Sequence, residues 1–178
     1  MKKRSLIISF VIILINCFLP SITSSQNAIK YGISTFGNSL RDTIGINTID
    51  GGVYIVGQES NEIFVLNFWF IACGPCRKEI PELNSLAKKY SKEKNIHFIS
   101  ISNIDSEDAI RYVMKKMSLQ FEQVAKGQVI ADHFLVNRYP TNIIIGQDGT
   151  LLFKKIGYNY AAISKIDSIL AQQIVNVR

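Results

Sequence analysis

Residues 65–83, VLNFWFIACGPCRKEIPEL, carry the strongest structural pattern of the chain, an apolar run that is followed at once by two cysteines. The apolar run spans Ile63–Trp69 and has the length and composition of a strand that is buried on both faces. From residue 75 to residue 90 apolar side chains recur at helical spacing, on a stripe made of Cys76, Ile80, Leu83, Ala87 and Tyr90. The sequence therefore predicts a buried strand that leads directly into an amphipathic helix.

The two cysteines of the CGPC sequence, residues 73–76, lie where this helix is predicted to begin. Cys73 would lie at the helix N-terminus, where unpaired N–H groups and the helix dipole stabilise a thiolate, which is the nucleophilic form of cysteine. Cys76 follows one turn later on the apolar stripe, shielded but within reach of Cys73. Pro75 loses no hydrogen bond in the first helical turn, and Gly74 leaves room for the backbone of a partner. We therefore predict an exposed, attacking thiol at Cys73 and a shielded, resolving thiol at Cys76.

Glu79 is the third candidate for a chemical role. It lies three residues after Cys76, so the two side chains share a helix face. A carboxyl group on an apolar stripe is desolvated, which raises its pKa towards neutrality. Glu79 could then accept and return the proton of Cys76. The alternative is a glutamate at the edge of the stripe that points into water.

The remaining sequence predicts an α/β domain with a mixed central sheet covered by helices, preceded by an N-terminal β-hairpin around Asp50-Gly51-Gly52. Strands are predicted at residues 44–49, 53–56, 63–69, 96–101, 121–125, 141–145 and 151–156. Helices are predicted at residues 75–90, 105–117, 128–135 and 159–175. Strands that alternate with helices imply a parallel core, and the late hairpin adds antiparallel strands.

The N-terminus has the three-part layout of a secretory signal peptide over residues 1–25. A basic start, Met1-Lys2-Lys3-Arg4, precedes an apolar run that is shorter than the about 20 residues of a membrane span. Thr23 and Ser25 are small enough for cleavage before Gln26. We therefore expect export to the periplasm, a polar lead-in at residues 26–43 and one domain at residues 44–178.

Two alternatives to cleavage remain open for this segment. The first is an uncleaved membrane anchor through residues 5–22, which would be the only membrane contact of the chain. The second is a lipid attached to Cys17, which the bulky, polar Asn16 before it disfavours. If cleavage occurs, Cys17 is removed, and Cys73 and Cys76 can pair only with each other or with a partner.

Composition and charge exclude several classes of protein. With 47% apolar and 19% charged residues, the chain has enough material for a core and too much for a disordered protein. Residues 1–25 hold three of the 20 basic residues and none of the 14 acidic ones, so the rest carries a net charge of +3. This weak charge does not indicate a nucleic-acid partner. A zinc site would need His97 and His133, which lie among apolar neighbours and are interpreted as structural.

These motifs resemble the thioredoxin superfamily, and specifically its exported TlpA/ResA-like thiol–disulfide oxidoreductases. Asn67-Phe68-Trp69 precedes CGPC at the spacing of that family, and Glu79-Ile80-Pro81 matches its Glu-x-Pro motif. Arg138-Tyr139-Pro140-Thr141, followed by an apolar strand and Asp148-Gly149, resembles its cis-proline loop and final hairpin. The resemblance covers about residues 44–175. It implies the thioredoxin fold with a helix inserted between the central strands, at residues 105–117.

The resemblance also implies roles for individual residues. Cys73 would be the nucleophile and Cys76 the resolving thiol of a redox-active disulfide. Glu79 would accept and donate the proton, and Pro140 would be a cis-proline that faces the disulfide. Substrate binding is implied for Trp69, Gly74, Pro75, Tyr139 and Thr141.

The implied substrates are disulfide-containing exported proteins, reduced either in cytochrome c maturation or in general periplasmic disulfide reduction. The implied electron donor is a membrane thiol-transfer protein. No metal or organic cofactor is implied.

The sequence departs from the family pattern at two positions. Ala72 stands where most relatives carry an aromatic residue, so we expect a more open rim and an altered partner preference. Asn67 stands where cytoplasmic thioredoxins have a buried aspartate, and Glu79 is expected to supply the proton acceptor instead.

Two other functions on the same fold are weighed against this one. A Sco-like copper-delivery module would use C-x-x-x-C and a distant histidine, and a copper titration would detect it. A peroxidase would need Thr-x-x-Cys where Phe70 stands, and a peroxide-consumption assay would reveal that activity.

Overall fold

The structure is a computed structural model that describes residues 43–175, so the predicted signal peptide and residues 26–42 of the lead-in lie outside the described residues. Its strands β1 to β7 are Ile44–Asn47, Val53–Val56, Ile63–Trp69, Ile96–Ser102, Glu122–Val124, Thr141–Ile145 and Leu151–Ile156. Its helices α1 to α4 are Gly74–Lys89, Glu107–Met117, Gln128–His133 and Tyr160–Val175. Within this part of the chain no helix has both the length and the apolar character needed to cross a membrane.

Five strands form the mixed central sheet that the sequence predicts, in the order β5-β4-β3-β6-β7. The central strand β3 pairs in parallel with β4 and antiparallel with β6. Strand β5 extends the parallel side and β7 the antiparallel side. Strands β1 and β2 form the separate N-terminal hairpin, and α2 is the helix that the chain inserts between β4 and β5.

Both faces of β3 are covered, since all seven of its residues are buried. Because side chains alternate along a strand, Ile63 and Val65 pack against α1 and α4, whereas Phe64, Leu66 and Phe68 pack against the hairpin and α3. The alternation also directs two residues near the end of β3 to the side of α1. These are Asn67, which contacts Glu79, and Trp69, which packs against both cysteines.

Strand β1 and helix α3 each end two residues before their predicted ends, because the backbone turns earlier than the hydrophobic pattern ends. Strand β1 ends at Asn47 rather than at residue 49, since Thr48 closes a wider loop in which its side chain accepts a hydrogen bond from the Gly52 N–H. Helix α3 ends at His133 rather than at residue 135. Leu135 has a left-handed φ of 48°, and the next N–H returns to the carbonyl of Ala131.

Candidate active site

Cys73 is the N-cap residue of α1, and its Sγ accepts a hydrogen bond from the backbone N–H of Cys76 at 3.2 Å. The two cysteines form a disulfide with their Cα atoms 5.3 Å apart. Both are buried, with 5% of Cys73 and 1% of Cys76 exposed. The prediction that Cys73 is exposed is therefore wrong for the disulfide form, because Cys73 packs in one cluster with Trp69 and Ile80. The helix begins at Gly74, one residue earlier than the sequence predicts, so Pro75 lies in its first turn and disrupts no helical hydrogen bond.

The loop between β3 and the cysteines is held by a carboxylate from the neighbouring strand's end. Asp105 Oδ2 accepts hydrogen bonds from the backbone N–H of Ile71 and from the hydroxyl of Ser102, both at 2.7 Å. The N-cap of α2 is Ser106, whose hydroxyl oxygen accepts a hydrogen bond from the Ala109 N–H. The contact of Asp105 with the loop was missed, although an aspartate just after a buried parallel strand is a signal for a residue at the site.

Glu79 is buried, with 1% of its surface exposed, so the alternative of a solvent-facing carboxylate does not hold. Its Oε1 accepts a hydrogen bond from Asn67 Nδ2 at 2.8 Å, and both of its oxygens accept from Asn142 Nδ2 at 3.2 Å. Burial raises the pKa of Glu79 from 4.5 to about 7, and the negative charge of Glu82 adds to the increase. The two amide donors oppose it, because they stabilise the carboxylate.

Asn142 and Ser100 were missed as parts of this arrangement. Asn67 lies between them in the sheet, paired with Ser100 on β4 and with Asn142 on β6. Ser100 Oγ donates to Asn67 Oδ1 at 3.1 Å, and Asn67 Nδ2 donates to Asn142 Oδ1 at 2.9 Å. We name Ser100, Asn67 and Asn142 the polar row. The available signal was a polar residue within each of three mainly apolar strands.

The Tyr139–Pro140 peptide bond is cis, as the resemblance implied. The ring of Tyr139 packs edge-on against Phe70, with centroids 5.4 Å apart, and contacts the cluster that contains both cysteines. The hydroxyl of Thr141 donates to the carbonyl of Arg138 at 2.7 Å, which braces the loop. The cis-proline loop and the disulfide therefore belong to one packed unit.

The residues assigned to substrate binding divide into two groups. An added Cβ at Gly74 would meet no atom within 4 Å, Pro75 is exposed, and Tyr139 is half-buried. Ala72 is also exposed, as expected for the rim. Trp69 and Thr141 are fully buried, so they lie beneath this surface, and their assignment to substrate binding stays a prediction.

The two histidines lie away from the cysteines. The Nε2 atom of His97 contacts the carboxylate of Glu62 and its ring stacks on Phe64, while His133 packs edge-on against Phe134. Across residues 43–175 no three histidine, cysteine, aspartate or glutamate side chains come together in a group that could hold a metal ion.

Comparison with known proteins agrees with this fold. The thioredoxin-like family profile matches residues 61–151, from the residues before β3 to the start of β7. The chain therefore belongs to the thioredoxin-like family, as the sequence motifs implied.

The relatives define a particular group within this family. The thiol–disulfide oxidoreductase ResA of Bacillus cereus is 30% identical over 165 residues, which cover 88% of this chain and 91% of that protein. A thiol–disulfide oxidoreductase from Bacteroides fragilis superposes with a TM-score of 0.60 at 25% identity, over 72% of this chain and 98% of the other. StoA from Bacillus subtilis shares the fold, with a TM-score of 0.58 at 20% identity over 68% and 92%. The protein is a thiol–disulfide oxidoreductase of the ResA type.

Proposed function

We propose that this protein reduces disulfides in exported proteins, with Cys73 as the attacking thiol and Cys76 as the resolving thiol. The observation that carries the proposal is the position of Cys73 at the N-cap of α1, with its sulfur accepting a hydrogen bond from the Cys76 N–H. The same N–H and the helix dipole would stabilise the Cys73 thiolate in the reduced protein.

The reaction proceeds in two exchanges. The Cys73 thiolate attacks one sulfur of the partner's disulfide, forms a mixed disulfide and releases the other sulfur as a thiolate. Cys76 then loses its proton and attacks Cys73, which releases the partner's remaining sulfur as a thiolate. The partner gains two electrons and the enzyme becomes oxidised. A membrane thiol-transfer protein would return two electrons to the pair.

Glu79 is proposed as the acceptor of the Cys76 proton. It lies one helical turn after Cys76 on the buried face of α1, and its pKa of about 7 allows it to take and return a proton near neutral pH. A carboxylate beside Cys76 also disfavours a second anion there and so does not stabilise the reduced pair. This supports a reductant, because oxidising family members owe their potential to a stabilised reduced form.

The partner would be held at the surface formed by Gly74, Pro75 and the cis-proline loop. The backbone of Tyr139 is proposed to pair with an extended segment of the partner, with Pro140 facing the disulfide. The open space beside Gly74 leaves room for this approach. Trp69 and Thr141 would support the surface from below.

The proposed compartment is the periplasm, and it rests on the layout of residues 1–25. Within it, cytochrome c maturation and general disulfide reduction are the two candidate roles. N-terminal sequencing of the exported protein tests the assignment to the periplasm, with Gln26 expected as the first residue. A protein that retains Met1 would be anchored instead.

The test of the chemistry is the reduction potential of the cysteine pair together with trapping of partners. We expect a potential near that of thioredoxin, about −270 mV, whereas a value near −120 mV would indicate an oxidant. Cys76→Ser should accumulate mixed disulfides with exported proteins, and Cys73→Ser should accumulate none. Trapping by Cys73→Ser alone would reverse the assigned roles.

A further inference from the structure

The polar row crosses three strands directly beneath α1. Ser100, Asn67 and Asn142 are neighbours in register on β4, β3 and β6, and each is at most 4% exposed. The adjacent row on the same face consists of Phe98, Val65 and Ile144, which belong to the apolar core. The polar row therefore requires an explanation, because a buried amide stabilises a protein only when its hydrogen bonds are made.

The hydrogen bonds of the polar row fix the direction in which its amides point. The Ser100 hydroxyl donates to Asn67 Oδ1, so the Asn67 NH2 group faces the other way. That group donates both to Glu79 and to Asn142 Oδ1. With its oxygen engaged, Asn142 presents its own NH2 group to both carboxylate oxygens of Glu79. The carboxyl group therefore meets only N–H donors from the sheet.

The other groups that act on Glu79 are acidic or neutral. Glu82, one turn later on α1, raises the pKa of Glu79 by its charge and accepts a hydrogen bond from the Tyr158 hydroxyl of the segment after β7. Cys76, one turn earlier, is the other titratable group on this face of α1 when the pair is reduced. In the described part of the chain no ion pair joins Glu79 to a basic side chain. The amides of Asn67 and Asn142 are thus the groups that lower the pKa of Glu79 against the effect of burial.

We propose that Asn142, oriented by Asn67 and Ser100, is a positioning residue of the exchange reaction that sets the pH at which Glu79 takes up and returns the proton of Cys76. This inference rests on the proposed role of Glu79. Asn142 is suited to the task because it lies two residues after Pro140. Its side chain connects the strand that follows the cis-proline loop to the carboxyl group of Glu79, one helical turn after Cys76.

The direction of the effect follows from the charge of the carboxylate. Without the Asn142 donors the carboxylate loses stabilisation, so the pKa of Glu79 rises above its present value of about 7. Hydrogen bonds to a charged group have strengths that correspond to a shift of about one pH unit. At pH 7 the deprotonated fraction of Glu79 would then fall from about one half to about one tenth, so the release of the mixed disulfide would slow about fivefold.

The first measurement is the pH titration of the Glu79 side-chain carboxyl carbon by NMR in the oxidised protein, where neither cysteine titrates. Asn142→Leu removes the donors and keeps a similar volume, and Asn142→Val is a second variant that suits a strand. Gln123→Leu is the matched control, because Gln123 is a fully buried amide on β5 that makes no hydrogen bond to Glu79. We expect the midpoint to rise by about one unit in both Asn142 variants and to stay constant in the control.

The second measurement is the pH profile of mixed-disulfide release in single turnovers, in the wild-type and Glu79→Gln backgrounds. Asn142→Leu should move the profile to higher pH in the wild type and leave it unchanged in Glu79→Gln. An unchanged Glu79 midpoint in both Asn142 variants, or an equal shift of the profile in both backgrounds, would overturn the inference. If Glu79→Gln has the same pH profile as the wild type, the proposed role of Glu79 itself is wrong. That outcome differs from the outcomes that overturn the role of Asn142 alone.

Discussion

Glu79 shows at the scale of one residue how burial and hydrogen bonding act in opposite directions on a carboxyl group. Burial without a cation favours the protonated form, and three hydrogen bonds from two asparagines favour the carboxylate. The result is a pKa of about 7, which allows the group to change charge within the physiological range. The same shift makes the stability of the protein depend on pH.

The first prediction concerns this dependence in the oxidised protein. The pKa of Glu79 is raised on folding from 4.5 to about 7, so its contribution to stability is complete below pH 4.5 and is lost as the pH rises through 7. This loss corresponds to about 3 kcal/mol. Glu79→Gln has no titratable proton, so urea unfolding at a series of pH values should give a difference from the wild type that grows between these limits. The exposed Glu59→Gln is the control, and a difference that does not vary with pH would contradict the prediction.

At the scale of secondary-structure elements, the position of the CGPC segment depends on two connections. The turn from β3 into α1 is held by Asp105, at the C-terminal end of β4, through its hydrogen bond to the Ile71 N–H. The hydroxyl of Ser102, the last residue of β4, donates a hydrogen bond to the same carboxylate oxygen and accepts one from the Asp105 N–H. The ends of two parallel strands are thus tied together immediately before Cys73.

The second prediction tests this connection. Asp105→Ala removes the acceptor of Ile71 and Ser102, so residues 70–72 should lose their fixed conformation. We expect kcat/KM for disulfide reduction to fall about tenfold, because a nucleophile placed less accurately reacts more slowly. Asp108→Ala, which removes an exposed carboxylate from the first turn of α2, should change the rate less than about twofold. Equal rates for both variants would show that the Asp105 contact does not position the cysteine.

The elements themselves differ in how far the sequence predicts them. Strand β3 and helix α1 carry strong local patterns, and their boundaries lie within one residue of the prediction. The partners of Glu79 could not be found in this way. Asn142 is 63 residues away from Glu79 in the sequence. Only the antiparallel pairing of β3 with β6 brings Asn142 beside Asn67. A pattern within one element reveals its buried face but not the residues that face it from another strand.

At the scale of the whole domain, the segment that follows the N-terminal hairpin packs on the turn between β6 and β7. The N–H of Ser60 donates to the carbonyl of Gln147 at 2.7 Å. Gly149 has a left-handed φ of 75°, and a Cβ there would lie 2.7 Å from the backbone of Gly57. Only glycine at this position allows the two segments to approach so closely.

The third prediction follows from this close approach. Gly149→Ala should lower the free energy of unfolding by about 2–4 kcal/mol, because it combines backbone strain with a clash that no flexible side chain can relieve. Gly45→Ala is the control, since its Cβ would meet no atom within 4 Å. Urea denaturation of both variants measures the difference. A Gly149→Ala protein as stable as the control would show that the two segments separate at little energetic cost.

The burial of Cys73 and Cys76 affects the rate at which this pair exchanges electrons with molecules in solution. With 5% of Cys73 and 1% of Cys76 exposed, a small thiol in solution has little surface to attack. A docked protein, in contrast, can hold its own sulfur against the open side of Gly74 for long enough to react. Equilibration with low-molecular-weight thiols should therefore be slow even where it is thermodynamically favourable. The reduced pair would then persist until a protein disulfide docks and is reduced, even in a compartment that contains small oxidants.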